Sequence, residues 1–228
     1  MEIIIVGGGT AGWLTALIAS SRHPNHDITV VESSQIGIIG VGESTTGYLT
    51  DILVNCATNF GCDIQEFIVE TGSTLKYAIK HKGWTNNIDD YYIGPIDGSF
   101  TAHGTDGVTL DSLFAWGLNT LSREDLLTVS QMGYWVHRGK SNFNKIKKDF
   151  LPTSTHAMHI DAYLAGKYFK KIACKRNNIS FIDDEVVDVK LTNGFITSIL
   201  LKNSNEINGD FFVDCSGFRK VLSFSTKY

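Results

Sequence analysis

The residues best suited to chemistry stand at the start of the chain. Gly7, Gly9 and Gly12 keep the spacing Gly-x-Gly-x-x-Gly, and Glu32 follows twenty residues after the last of them. In such a set the first glycine permits a tight turn. The second lets bare backbone approach a pyrophosphate, and the third lets a helix pack close against a strand. Free N–H groups and the dipole of that helix attract the anion, and a carboxylate at the distance of Glu32 accepts from a ribose hydroxyl. These residues together fit a dinucleotide. A second glycine-rich stretch holds Gly37, Gly40 and Gly42, followed by Glu43, Ser44 and Thr45. It suits neither a regular helix nor a regular strand, and it can lay backbone against a flat ligand. Lys76 is a third candidate, although from pattern alone it is an ordinary solvent-face lysine. Thr74 to Lys82 alternates as one strand, with Leu75, Tyr77 and Ile79 on one face and Lys76, Ala78, Lys80 and Lys82 on the other.

The elements that must position these residues can be read along the chain. A β-branched run, Ile3 to Val6, leads into the first glycines, and Trp13, Leu14, Ala16 and Leu17 continue them as a helix. Ile28 to Val31 forms the next strand and delivers Glu32 at its end. Ser44 or Thr45 can cap a helix carrying Leu49, Ile52, Leu53, Cys56 and Phe60, with Gly61 ending it. Asp63 and Glu66 have the spacing of a capping box opening a helix from Ile64 to Glu70. Asp89 to Phe150 is aromatic-rich and holds two helical stretches, Leu110 to Leu121 and Arg123 to Met132. A helix is expected from Ile160 to Asn178, with Ile160, Tyr163, Leu164, Tyr168 and Ile172 inward. Ile179 to Ile182 reads as a strand parallel to the first sheet. Val186 to Leu191 and Phe195 to Leu201 read as a hairpin across Asn193-Gly194, and Phe211 to Asp214 as a return to the main sheet. The pattern is α/β: a Rossmann-like parallel sheet with a β-hairpin layer.

Composition narrows the function classes. With 228 residues, 43% hydrophobic, and a net charge of −4, the chain is a globular protein without a basic field. The densest basic cluster, Lys145, Lys147 and Lys148, reads as a solvated face, so nucleic acid is not an expected partner. Cys56, Cys62, Cys174 and Cys215 lack metal-ligand or disulfide-framework spacing, and His103, His137, His156 and His159 lack metal-ligand company. No metal site is expected. No apolar run reaches the ~18 residues of a membrane span, and the expected compartment is the cytoplasm.

The motifs taken together resemble one family, the flavin-dependent tryptophan halogenases. Gly7-Gly8-Gly9-Thr10-Ala11-Gly12-Trp13 carries a tryptophan directly after the last glycine, and Gly40-Val41-Gly42-Glu43-Ser44-Thr45 is similar to that family's G-x-G-E-[AS]-T segment. Leu75 to Lys80 running to Gly83-Trp84 matches the strand where the family has its catalytic lysine, which falls on Lys76. His156 to Ala162, Glu185 to Val189 and Asp214-Cys215-Ser216-Gly217 extend the likeness over nearly the whole chain.

The resemblance implies an FAD-binding fold of the GR2 flavoprotein-monooxygenase type over 1–228. The dinucleotide motifs and lysine strand would lie in 1–84, a substrate-pocket insertion in 85–155, and the return to the FAD-binding core in 156–228. Gly7, Gly9, Thr10, Ala11, Gly12, Glu32, Gly40, Val41, Gly42, Glu43, Ser44, Val186 and Asp214 would meet the cofactor. Reduced FAD from a separate flavin reductase would react with oxygen and oxidise chloride or bromide to hypohalous acid. Lys76 would guide the halogen to an electron-rich aromatic such as an indole.

Two departures accompany the likeness. The family's substrate-contacting histidine has no counterpart, because Asp90 to Gly94 stands in its place. The family's W-x-W-x-I-P motif and later catalytic glutamate also fall beyond Tyr228, so the fold is expected to be incomplete relative to the family. The 228-residue chain alone is then expected to be inactive, with a second polypeptide or a homo-oligomer completing it. The alternatives are an FAD monooxygenase that hydroxylates and a non-catalytic flavin-binding fragment.

Overall fold

The computed structural model describes residues 1–37, 40, 42–55, 60–83, 87–89, 91–96, 136, 138–140 and 157–225. Val41, Cys56, His103, His137, His156, the lysines at 145, 147 and 148, both helical stretches expected within 110–132 and most of the expected 85–155 insertion lie outside the described residues. The chain forms two compact units, one of 1–43, 56–73 and 160–228 and one of 44–55 and 74–159.

The first unit is built on a parallel sheet of β1 (Glu2–Val6), β2 (Asp27–Glu32), β8 (Ile179–Asp183) and β12 (Phe211–Asp214), in the order β12-β1-β2-β8. Ile3, Ile4, Ile5 and Val6 are all buried, as a strand covered on both faces requires. One cover is helical: α1 (Thr10–Arg22) packs against α4 (Ala162–Ala173), which in turn packs against α3 (Ile64–Thr71). The other cover is an antiparallel sheet of β9 (Val186–Thr192), β10 (Phe195–Leu201) and β11 (Glu206–Asn208). Ile4 and Val6 cluster with Val186, Val189, Ile199 and Leu201 of that layer and with Leu222 of the short helix α5 (Val221–Ser225). Asn193 and Gly194 take the positive φ of 53° and 83° that a tight hairpin needs, where the sequence places its turn. The expected α/β fold with a parallel sheet and a hairpin layer is the fold observed; β11 is an addition that the sequence reading lacks.

The second unit holds α2 (Gly47–Asn55) and two small sheets. β4 (Thr74–Lys76) pairs antiparallel with β7 (Ala157–Ile160), and β3 (Glu43–Ser44) completes the order β3-β7-β4. β5 (Ala78–Lys82) pairs with β6 (Tyr91–Pro95).

Several local expectations change. The single strand expected from Thr74 to Lys82 divides at Tyr77, because its two halves find different partners, and the Tyr77 carbonyl instead accepts from Ile96 N at 2.9 Å. Ser44 and Thr45 do not cap α2; Ser44 lies in β3, and the Thr45 hydroxyl accepts from Met158 N at 2.9 Å. The helix expected from Ile160 to Asn178 is α4 alone, since Asp161 caps it by accepting from Leu164 N at 2.9 Å. Its buried stripe runs through Ala162, Ala165, Tyr168, Phe169 and Ile172, which leaves Tyr163 exposed. The Asp63 cap of α3 is as expected, with bonds from Gln65 N and Glu66 N, but Glu66 does not reach back; its carboxylate accepts from the Tyr168 hydroxyl and from Lys171.

Among the described residues no helix is long and apolar enough to cross a membrane, and no group of three or more His, Cys, Asp or Glu could hold a metal ion.

Candidate functional site

The first glycine loop has the geometry of an anion cradle. Gly7 sits at φ +114°, and a Cβ there would lie 2.2 Å from the Cys215 carbonyl oxygen, so the loop is pressed onto the end of β12. A Cβ on Gly12 would lie 1.8 Å from the Gly7 carbonyl oxygen, which holds α1 against β1 at backbone distance. Gly9 differs from both, because a Cβ there would meet nothing within 4 Å. Gly9 is the N-cap of α1 and supplies no side chain to the first-turn N–H groups, and that turn contains no acidic residue. Thr10, Ala11 and Gly12 therefore present a helix N-terminus with its positive dipole end and no internal counter-charge. The positive φ at Gly7 and the close approach at Gly12 are the turn and the helix packing that the spacing predicts. A dinucleotide pyrophosphate fits the chemistry of the loop.

Glu32 ends β2 against the same loop. Its Oε2 accepts from the indole Nε1 of Trp13 at 3.1 Å, and its Oε1 pairs with the ammonium of Lys170 on α4. A Cβ on Gly8 would stand 2.0 Å from Oε2, so only glycine there leaves room for the carboxylate. Gly8, Trp13 and Lys170 surround Glu32, and the sequence reading did not single them out as site residues. Trp13 was legible as the tryptophan after Gly12, whereas Lys170 lies 138 positions from Glu32 and carries no local signal.

Both glycine stretches meet the junction between β7 and α4. The Thr10 hydroxyl donates to the Ala162 carbonyl at 3.0 Å. Cβ atoms on Gly40 and Gly42 would stand 3.4 Å from the Ala162 Cβ and from the Ile160 carbonyl oxygen. Gly40, Gly42, Glu43 and Ser44 are exposed, which keeps this backbone open to a ligand. Asp214 closes β12 beside Val6. Its carboxylate accepts from Ser216 N and Oγ and from Leu222 N, so its side chain ties down the turn into α5. Burial pushes its pKa up, but those hydrogen bonds outweigh burial and hold it below the usual carboxylate value. Beside it the Cys215 thiol is pushed up by burial, only partly offset by Thr15. Val186 opens β9, an edge strand of its layer, with its side chain in the core; a ligand could meet only its backbone.

In the second unit the Lys76 ammonium donates to the Thr45 carbonyl at 3.1 Å. Thr45 is itself locked to β7, donating its N–H to the Met158 carbonyl at 2.8 Å and accepting from Met158 N through its hydroxyl at 2.9 Å. Lys76 pairs with Ala157 on the same strand. The lysine strand and the end of the second glycine motif are thus joined through one short sheet, and Lys76 is half-buried rather than on a solvent face.

The family model described as tryptophan halogenase matches residues 2–227. The chain belongs to the tryptophan halogenase family. Among curated relatives of this halogenase-family chain, the 7-chloro-L-tryptophan 6-halogenase KtzR of Kutzneria sp. (strain 744) is 30% identical over 248 residues, covering 96% of this chain and 45% of KtzR. The tryptophan 7-halogenase RebH of Lentzea aerocolonigenes is 28% identical, covering 97% of this chain and 43% of RebH. Among solved structures, Tar14, a tryptophan C-6 flavin-dependent halogenase from taromycin biosynthesis, superposes with a TM-score of 0.76 at 29% identity, over 97% of this chain and 44% of Tar14. BrvH, a flavin-dependent halogenase from Brevundimonas sp. BAL3, gives 0.74 at 26% identity, over 97% and 43%. The chain spans less than half the length of each of these relatives.

Proposed function

We propose that this chain forms the FAD-binding part of a flavin-dependent halogenase acting on an electron-rich, indole-like ring. Gly7, Gly9, Thr10, Ala11 and Gly12 would hold the pyrophosphate and Glu32 the ribose. The stretch Gly40, Val41, Gly42, Glu43 and Ser44, with the backbone of Val186 and the Asp214 turn, would complete the cofactor surface. Bound reduced FAD, supplied by a separate reductase, would activate oxygen, which would be the oxidant that turns chloride or bromide into hypohalous acid. The uncapped first turn of α1 and the open space at Gly9 support the cofactor part of this reading.

The observation that carries the catalytic part is the bond from Lys76 to Thr45. An ammonium has donors and no acceptor, and one anchored by a backbone carbonyl keeps a fixed direction from which to donate to the oxygen of hypohalous acid, leaving the halogen more electrophilic. In an active assembly with FAD, reductase and bromide, Lys76→Ala is expected to leave reoxidation of the flavin unchanged. Halogenated product should fall about 10²- to 10⁴-fold, as for loss of a positioned proton donor. Product formed at the parent rate, measured by mass spectrometry, would return Lys76 to a structural role.

A further inference from the structure

We infer that Lys170, together with Trp13, sets the dinucleotide's ribose contact by fixing Glu32; the inference rests on the reading of Glu32 as the ribose acceptor. Glu32 is held on three sides: by the Gly8 backbone, which leaves no room for a Cβ, by the Trp13 indole N–H on Oε2, and by the Lys170 ammonium on Oε1. Its side chain is only 18% exposed. Lys170 does not reach across freely, because its ammonium lies 4.2 Å from the Phe181 ring centroid and 5.5 Å from that of Trp13. Trp13 is 1% exposed and meets Phe181 edge-on at 6.1 Å. The two aromatic rings fix the cation, and the cation and the indole fix the anion.

This arrangement does two things that a lone carboxylate could not. A carboxylate offers about four lone-pair sites, so one bond to each oxygen leaves one site on each for two adjacent ribose hydroxyls, with both oxygens already oriented. Lys170 also neutralises a half-hidden negative charge and so keeps the carboxylate in place. Without it, swinging toward water would relieve the desolvation of Glu32 and carry both oxygens away from the ribose. Lys170 is therefore a positioning residue, acting on the ligand through Glu32.

The test uses the full chain and two probes, FAD and an FAD analogue whose adenosine ribose is 2′,3′-dideoxy, with affinity read by quenching of flavin fluorescence. Lys170→Met is expected to weaken FAD about tenfold while leaving the dideoxy analogue within about twofold of the parent. Lys170→Arg should restore most of the FAD affinity, since a guanidinium also pairs with a carboxylate and stacks on rings. Glu32→Ala run in parallel separates the two levels of the argument. If Glu32→Ala loses affinity for FAD alone while Lys170→Met binds both probes as the parent does, the role of Lys170 is overturned and the ribose reading stands. If Glu32→Ala also leaves both unchanged, the ribose reading falls and this inference with it. Equal weakening of FAD and the analogue in Lys170→Met would show a purely structural lysine and overturn the proposal.

Discussion

The glycine cradle of the first unit and the lysine sheet of the second solve different positioning problems. At the cradle the deciding dimensions are close approaches to the glycine backbone. Gly7, Gly8 and Gly12 each sit where a single added carbon would fall between 1.8 and 2.2 Å from another atom, and the strands behind them are buried on both faces. At the lysine sheet the deciding links are a few hydrogen bonds on short strands, with Lys76 hung from one carbonyl. A ligand held by main-chain N–H groups needs a rigid backbone, and close packing provides it. A side chain that must meet a reacting atom needs direction, which a few bonds to a neighbouring strand supply.

The contrast predicts how each region fails. Gly12→Ala should do the most damage, because its Cβ meets a backbone carbonyl that no rotamer can move aside. Roughly 3–5 kcal/mol of stability should be lost, close to the whole stability of a small domain, together with flavin binding. Urea unfolding measures it, and a loss below 1 kcal/mol would mean that the loop yields and the cradle is not rigid. Thr45→Val comes next. It strands the N–H of fully buried Met158 and should cost about 1–3 kcal/mol, while FAD affinity stays within twofold. A matching fall in FAD affinity would show that the two regions are energetically one.

The smallest effect belongs to Asp214→Ala, expected at about 1 kcal/mol for a helix-capping carboxylate. Its pH dependence has a definite sign. The folded-state pKa of Asp214 lies below its unfolded value, so its contribution is present above about pH 4 and disappears as pH falls through the folded value. The parent should therefore lose stability below about pH 4 more steeply than the variant. Identical acid limbs in thermal melts of the two proteins would remove Asp214 from this role.

Much of the first unit was legible because its signals are local. The Gly7 to Gly12 spacing, the β-branched run before it, Asn193-Gly194 between two strands and the Asp63 cap each act within a few residues of where they are written. Boundaries slipped where local pattern competed with pairing. Thr74 to Lys82 alternates perfectly as one strand, yet the availability of β7 for its first half and β6 for its second divided it at Tyr77. The helix after Ile160 began only where Asp161 could cap it, and its apolar positions were shared between a strand and a helix that the period alone could not separate.

By itself the sequence determined the α/β class and the glycine loop after the first strand, since glycine spacing, hydrophobic period and turn residues act through short-range sterics, whereas Lys76 was singled out by the family resemblance alone. Tertiary structure alone decided which charges face each other. Lys170 reaches Glu32 from α4 across 138 residues, and Lys76 reaches Thr45 across 31, because burying a charged or polar group demands a partner that the fold, not the local chain, brings within bonding distance.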